Sequence, residues 1–154
     1  MTASKNSSIQ NKIIPEIIFD EAKIALSHYP ELKNVVIEFR LKSSLTKSFM
    51  KAQPKFRTLF KSKTNRAYII LMSEVFEIDS MKLPIKEIPK DVLIGWLGHE
   101  LGHVMDYTNR NSLNLLYFGV RYLFSSNYIR EAERMADTYA VTHGNYRIVN
   151  KSSY

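Results

Sequence analysis

Residues 92–105 read VLIGWLGHELGHVM, and eleven of these fourteen are apolar or glycine, spread over every side of a helix. A helix that is apolar all round belongs inside a protein, so this segment must lie in the core of whatever the chain builds. The exceptions are His99, Glu100 and His103. Burying two imidazoles and a carboxylate without partners costs several kcal/mol. Each of the three therefore needs a strong partner.

A metal ion is such a partner. His99 and His103 are four residues apart, on one face and about 6 Å apart along the axis. From there both imidazoles converge on one cation at roughly 2.0–2.1 Å. Glu100 is rotated off that face and reaches a water on the metal. This is the H-E-x-x-H pattern, in which the glutamate is general base towards a zinc-bound water. With four His and ten Glu in 154 residues, the pattern arises by chance in on the order of one such chain in 150. Its place in a buried helix therefore counts as much as its spacing. The competing reading is a pair of hydrogen-bonded core histidines.

A catalytic zinc site needs a third protein ligand. The extension H-E-x-x-H-x-x-G-x-x-H fails, because Asp106 stands at the glycine position and Asn109 at the last histidine. Asp106 itself is a poor ligand, since one straight helix cannot wrap three successive turns around a tetrahedral ion. A later helix offers better. Steps of three and four place Ile129, Ala132, Glu133, Ala136, Asp137, Ala140 and His143 on one face. Its alanines let it pack close to another helix. Glu133 is then the carboxylate ligand, completing a His99, His103, Glu133 set, and Asp137 takes the free ring N–H of a ligating histidine. The alternative is an amphipathic helix whose acids pair with Arg130 and Arg134.

The segments His99-Glu100-Leu101-Gly102-His103 and Glu133-Arg134-Met135-Ala136-Asp137 resemble the two motifs of the gluzincin zinc metallopeptidases, H-E-x-x-H and E-x-x-A-D. The order of elements over 15–144 is similar to that of small bacterial predicted peptidases. The resemblance implies a zincin-like fold, a bound Zn²⁺ and a peptide or protein substrate. It also implies that the strand before the active-site helix, here residues 67–72, forms the upper rim of the cleft and pairs with extended peptide. A histidine or tyrosine near the end of the site then supports the oxyanion, which makes His143 or Tyr146 the catalytic partner of Glu100.

The rest of the chain sets the frame. Periodicity predicts a helix over 15–28, a strand over 34–41, and a hairpin of strands 55–60 and 67–72. A loop follows over 83–89, then helices over 89–107, 113–124 and 127–143, the last closed by Gly144. This is an α+β order without βαβ alternation: an N-terminal helix and a small three-stranded sheet, then three helices including the active-site helix. One domain over 13–154, after a disordered tail at 1–12, suits a chain of this length. The helix over 113–124 carries Leu115, Leu116, Tyr117, Phe118, Tyr122 and Phe124. Core packing, cleft lining, a dimer contact and a membrane-surface contact all stay open for it.

The chain has no cysteine, which excludes disulfides, thiolate metal sites and cysteine nucleophiles. With no signal-peptide pattern and no run of 18 apolar residues, a cytoplasmic protein without a transmembrane segment is expected. The net charge of +7 is uneven. Between Glu38 and Glu74 stand nine basic residues, from Arg40 to Arg66, and no acid. Such a stretch is either a solvated rim or a nucleic-acid, lipid or acidic-peptide contact. The expected function is a zinc-dependent peptidase. The alternatives are a DNA-associated metalloprotease using residues 40–66, and a catalytically silent zinc-containing binding protein.

Overall fold

The computed structural model describes residues 6–43, 45, 48–78, 80–124 and 126–143. The chain opens with a hairpin of β1 (Asn6–Ile9) and β2 (Lys12–Pro15). Asn11 makes the turn at φ 63°, a left-handed conformation that asparagine tolerates better than most residues. Residues 6–9, expected to belong to a disordered tail, are therefore a paired strand. Their polar composition carries no apolar alternation by which a strand could be read.

The N-terminal helix begins later than its periodicity indicated. Glu16–Ile18 form a turn of 3₁₀ helix, and α1 spans Phe19–Ser27. Then come β3 (Val36–Lys42), β4 (Met50–Pro54) and β5 (Ala67–Ser73). The sheet has five strands in the order β1-β2-β3-β5-β4, not three. Strands β2–β3 and β3–β5 are parallel, and β4–β5 are antiparallel. β2, α1 and β3 thus make a parallel crossover in a chain expected to have none. The expected strand at 55–60 is displaced to Met50–Pro54, because residues 56–58 turn into 3₁₀ helix. A second hairpin, β6 (Val75–Ile78) and β7 (Met81–Pro84), replaces the start of the expected loop.

Three helices follow: α2 (Lys90–Asn109), α3 (Ser112–Phe124) and α4 (Ser126–Thr142). The result is a mixed α/β fold in the broad sense expected. Gly144 and Tyr146 lie outside the described residues.

The core lies between one face of the sheet and the helices. Ile37 and Phe39 of β3, Met50 and Ala52 of β4, and Ile70 and Met72 of β5 are buried, as are Leu97 and Leu101 of α2. Alternation along β3 sends Glu38, Arg40 and Lys42 to the opposite face. β5 is buried at every position, as a strand flanked on both sides should be. Lys12, also buried, donates to the carbonyls of Leu32, Lys33 and Val35 at 3.0, 3.1 and 2.7 Å. It ties β2 to the turn before β3, and burial lowers its pKa.

Candidate metal centre

Pro89 caps α2 in an extended conformation and Asp91 sits in its first turn, where a carboxylate suits the helix dipole. The helix then runs through the core with its two polar faces engaged by different elements. One face meets α4. A Cβ built on Gly102 would lie 2.5 Å from the carbonyl oxygen of Ala136, so the two backbones touch at a point where a side chain has no room. Ala132, Ala136 and Ala140 are buried along the same seam. The close-packing alanine face expected of the last helix does meet α2.

This approach assembles the cluster. His99 Nε2 lies 2.9 Å from Glu133 Oε2, and His103 Nε2 lies 3.6 Å from Glu133 Oε1. His99 Nδ1 lies 2.8 Å from Asp137 Oδ1. One ligand atom from each of His99, His103 and Glu133 falls within 4.8 Å of the others, so the group can hold a metal ion. Tetrahedral ligands 2.0–2.1 Å from zinc stand about 3.3 Å apart, and the two measured separations straddle that value. The donor set fits as well as the spacing. With Asp137 accepting the Nδ1–H of His99, Nε2 is the nitrogen that a cation would take in exchange for its proton, the arrangement metal-bound histidines require. Glu133 and Asp137 bring two carboxylates against the rings, negative charge suited to a divalent cation. Burial alone would lower the pKa of His99, but the hydrogen bond to Glu133 and the charges of Glu100, Glu133 and Asp137 raise it to about 9. Glu133 is pushed the other way. Burial would raise it, yet the rings of His103 and His99 hold it well below the usual carboxylate range.

The other polar face of α2 meets β4. Glu100 is buried, and its Oε2 accepts the Ala52 N–H at 2.6 Å. Burial raises its pKa, an effect the two histidines and the Ala52 hydrogen bond only partly offset. Two turns on from His99, Tyr107 stacks near His103, ring centroids 6.2 Å apart, and reaches the Ala52 carbonyl at 3.4 Å. Ser73 N bonds Phe49 O and Lys55 N bonds Ala67 O, so the odd-numbered residues of β4 bond β5 through their backbone and the Ala52 N–H and C=O point away from it. The outer strand beside the motif helix is therefore β4. Residues 67–72, expected to form that edge, are internal and paired on both sides. The expectation failed because strand order is not readable from chain order.

His143 is not brought to the cluster. It lies ten residues beyond Glu133, about 15 Å along the helix axis. Its ring stacks on Tyr29 at 4.5 Å, and its nitrogens face Tyr139 O at 2.8 Å and Glu31 Oε1 at 3.1 Å. Tyr29 in turn donates to Gly98 O at 2.6 Å. His143 thus fastens α4 to the turn after α1. Asp106 is engaged by Arg110 at 2.7 Å, in keeping with its rejection as a ligand. Glu131, Arg130 and Arg134 are exposed.

Tyr107 and Ala52 are neighbours of the site that sequence reasoning missed. The four-residue step 99, 103, 107 was a signal for the tyrosine. Nothing comparable marked Ala52. Among the described residues no helix is long and apolar enough to cross a membrane. Comparison of the chain with protein-family profiles, curated proteins and solved structures finds no match.

Proposed function

We propose that the protein is a zinc-dependent peptidase of cytoplasmic location. The observation that carries this reading is the division of labour on α2. His99 and His103 turn to Glu133, while the intervening Glu100 is held away from them by the Ala52 N–H. A purely structural metal site has no use for a further buried acid that is not among its ligands.

His99, His103 and Glu133 would hold the ion, with Asp137 orienting His99. Zinc bound there supplies Lewis acidity and lowers the pKa of a water. Glu100 would act as the general base, accepting a proton from the attacking water and delivering it to the leaving amine. Its raised pKa suits both halves of that exchange. The outer edge of β4 would align an extended peptide by strand addition, the peptide taking over the Ala52 N–H and C=O that Glu100 and Tyr107 occupy in the peptide-free protein.

The test is Glu100→Gln, which keeps the volume of the side chain and every proposed ligand. Wild type and variant, both loaded with one zinc per chain, are incubated with a diverse peptide library. Cleavage should fall by about 10²–10⁴-fold in the variant. Equal cleavage by both would refute the role of Glu100.

A further inference from the structure

Two segments outside the metal centre are tied together at the far end of α2. Arg66, buried, donates to Arg110 O at 2.6 Å and to Ser112 Oγ at 3.1 Å. Ser112 Oγ donates to Leu59 O at 2.7 Å, and Lys63 Nζ to Asn109 O at 2.9 Å. These bonds hold the 56–65 turn beside the start of α3. Both segments present large apolar side chains to solvent. Phe56 and Phe60 are 75% and 67% exposed. On α3, Leu113, Leu116 and Tyr117 form an i, i+3, i+4 stripe that also faces outward, with Leu113 75% exposed. The helix packs inward through Leu115. An amphipathic helix normally turns such a stripe to the core.

The surroundings are basic. Arg57, Lys61 and Lys63 are exposed among the phenylalanines. The 56–65 turn and α3 together carry Arg57, Lys61, Lys63 and Arg121 and no acid. A symmetric contact between two copies of this patch would set like charges against each other. Nucleic acid would welcome the cations and the rings but gives exposed leucines nothing to bury against. Aromatic and leucine side chains amid lysine and arginine are the composition of a surface that settles into an anionic bilayer interface.

We infer that Phe56, Phe60, Leu113, Leu116 and Tyr117, with Arg57, Lys61 and Lys63 around them, dock this protein on the surface of membranes rich in anionic lipid. The inference does not depend on the metal centre. The patch acts as a peripheral contact: the side chains enter the headgroup region and the cations meet lipid phosphates.

The experiment is co-sedimentation of the full chain with vesicles of phosphatidylcholine alone or mixed with about 30% phosphatidylglycerol. Leu116→Trp adds a reporter whose emission is quenched by brominated acyl chains when the side chain inserts. Binding to the mixed vesicles only, with quenching, is expected. Arg57→Glu with Lys61→Glu should weaken it by at least about 25-fold, and Phe60→Ser with Leu113→Ser by about tenfold. Lys42→Glu, on the sheet face, should leave it unchanged. All variants sit at exposed positions, and their thermal unfolding is checked against wild type. Absence of binding to mixed vesicles would overturn the inference. So would binding without quenching that is indifferent to the Phe60 and Leu113 changes. An oligonucleotide bound in place of vesicles would assign the patch to nucleic acid, and a dimer that dissociates on Leu113→Ser would assign it to self-association.

Discussion

Gly102 of α2 rests directly on Ala136 of α4, with 2.5 Å between a would-be Cβ and the alanine carbonyl oxygen. Gly102 precedes the candidate ligand His103 by one residue, and Ala136 lies between Glu133 and Asp137. The interhelical contact and the metal centre are therefore one geometrical unit.

Replacing Gly102 by Ala tests that unit. In an isolated helix the change would help by about 1 kcal/mol. Here the obstructing atom is backbone and cannot swing aside, so overpacking should prevail and destabilise by about 1–3 kcal/mol. Metal affinity should fall with it. An unchanged denaturation midpoint with unchanged zinc affinity would show that the helices have slack at this point.

Metal analysis should find one zinc per chain, lost in His99→Ala, His103→Ala and Glu133→Ala and retained in Glu131→Ala. Glu131 is exposed two residues before Glu133, so it controls for charge without position. Asp137→Ala removes the partner of His99 Nδ1 and should weaken binding about 10–100-fold without abolishing it. Retention of metal by Glu133→Ala would remove Glu133 from the ligand set.

His143 offers a test that separates packing from catalysis. Its stacking on Tyr29 is worth about 0.5–1.5 kcal/mol. His143→Ala should lower the unfolding midpoint by a corresponding amount while zinc stoichiometry and peptide cleavage per folded molecule stay at wild-type levels. A loss of turnover with stability intact would restore the oxyanion role.

The metal-free protein should respond to pH through His99. Its folded pKa is raised from 6.5 to about 9. A raised pKa means the folded state holds the proton more tightly than the unfolded one, so the contribution to stability is complete below about pH 6.5 and disappears as pH rises through about 9. Zinc must displace the same proton, and its affinity should therefore climb between about pH 7 and about pH 9. Calorimetric zinc titrations across that range check this, and a flat profile would contradict it.

Several features were legible along the chain because their causes are local. The α2 and α4 periods place His99 with His103 and Glu133 with Asp137 regardless of what else the chain does, since 3.6 residues per turn is a property of the backbone. The apolar surround of α2 likewise announces burial before any partner is known. The small residues 102, 132, 136 and 140 mark where two helices can touch.

What the tertiary structure decided is non-local. Which strand lies outermost beside α2 depends on β5 inserting between β3 and β4, and neither strand's sequence encodes its neighbour. Glu100 finds Ala52 forty-eight residues away through that insertion alone. His143 shares a helical face with Glu133, but helical phase fixes direction and not distance along the axis. Packing against Tyr29 and Glu31 then claimed the ring. Residue spacing sets which side chains can meet within an element, whereas the burial of apolar surface across the whole chain sets which elements meet.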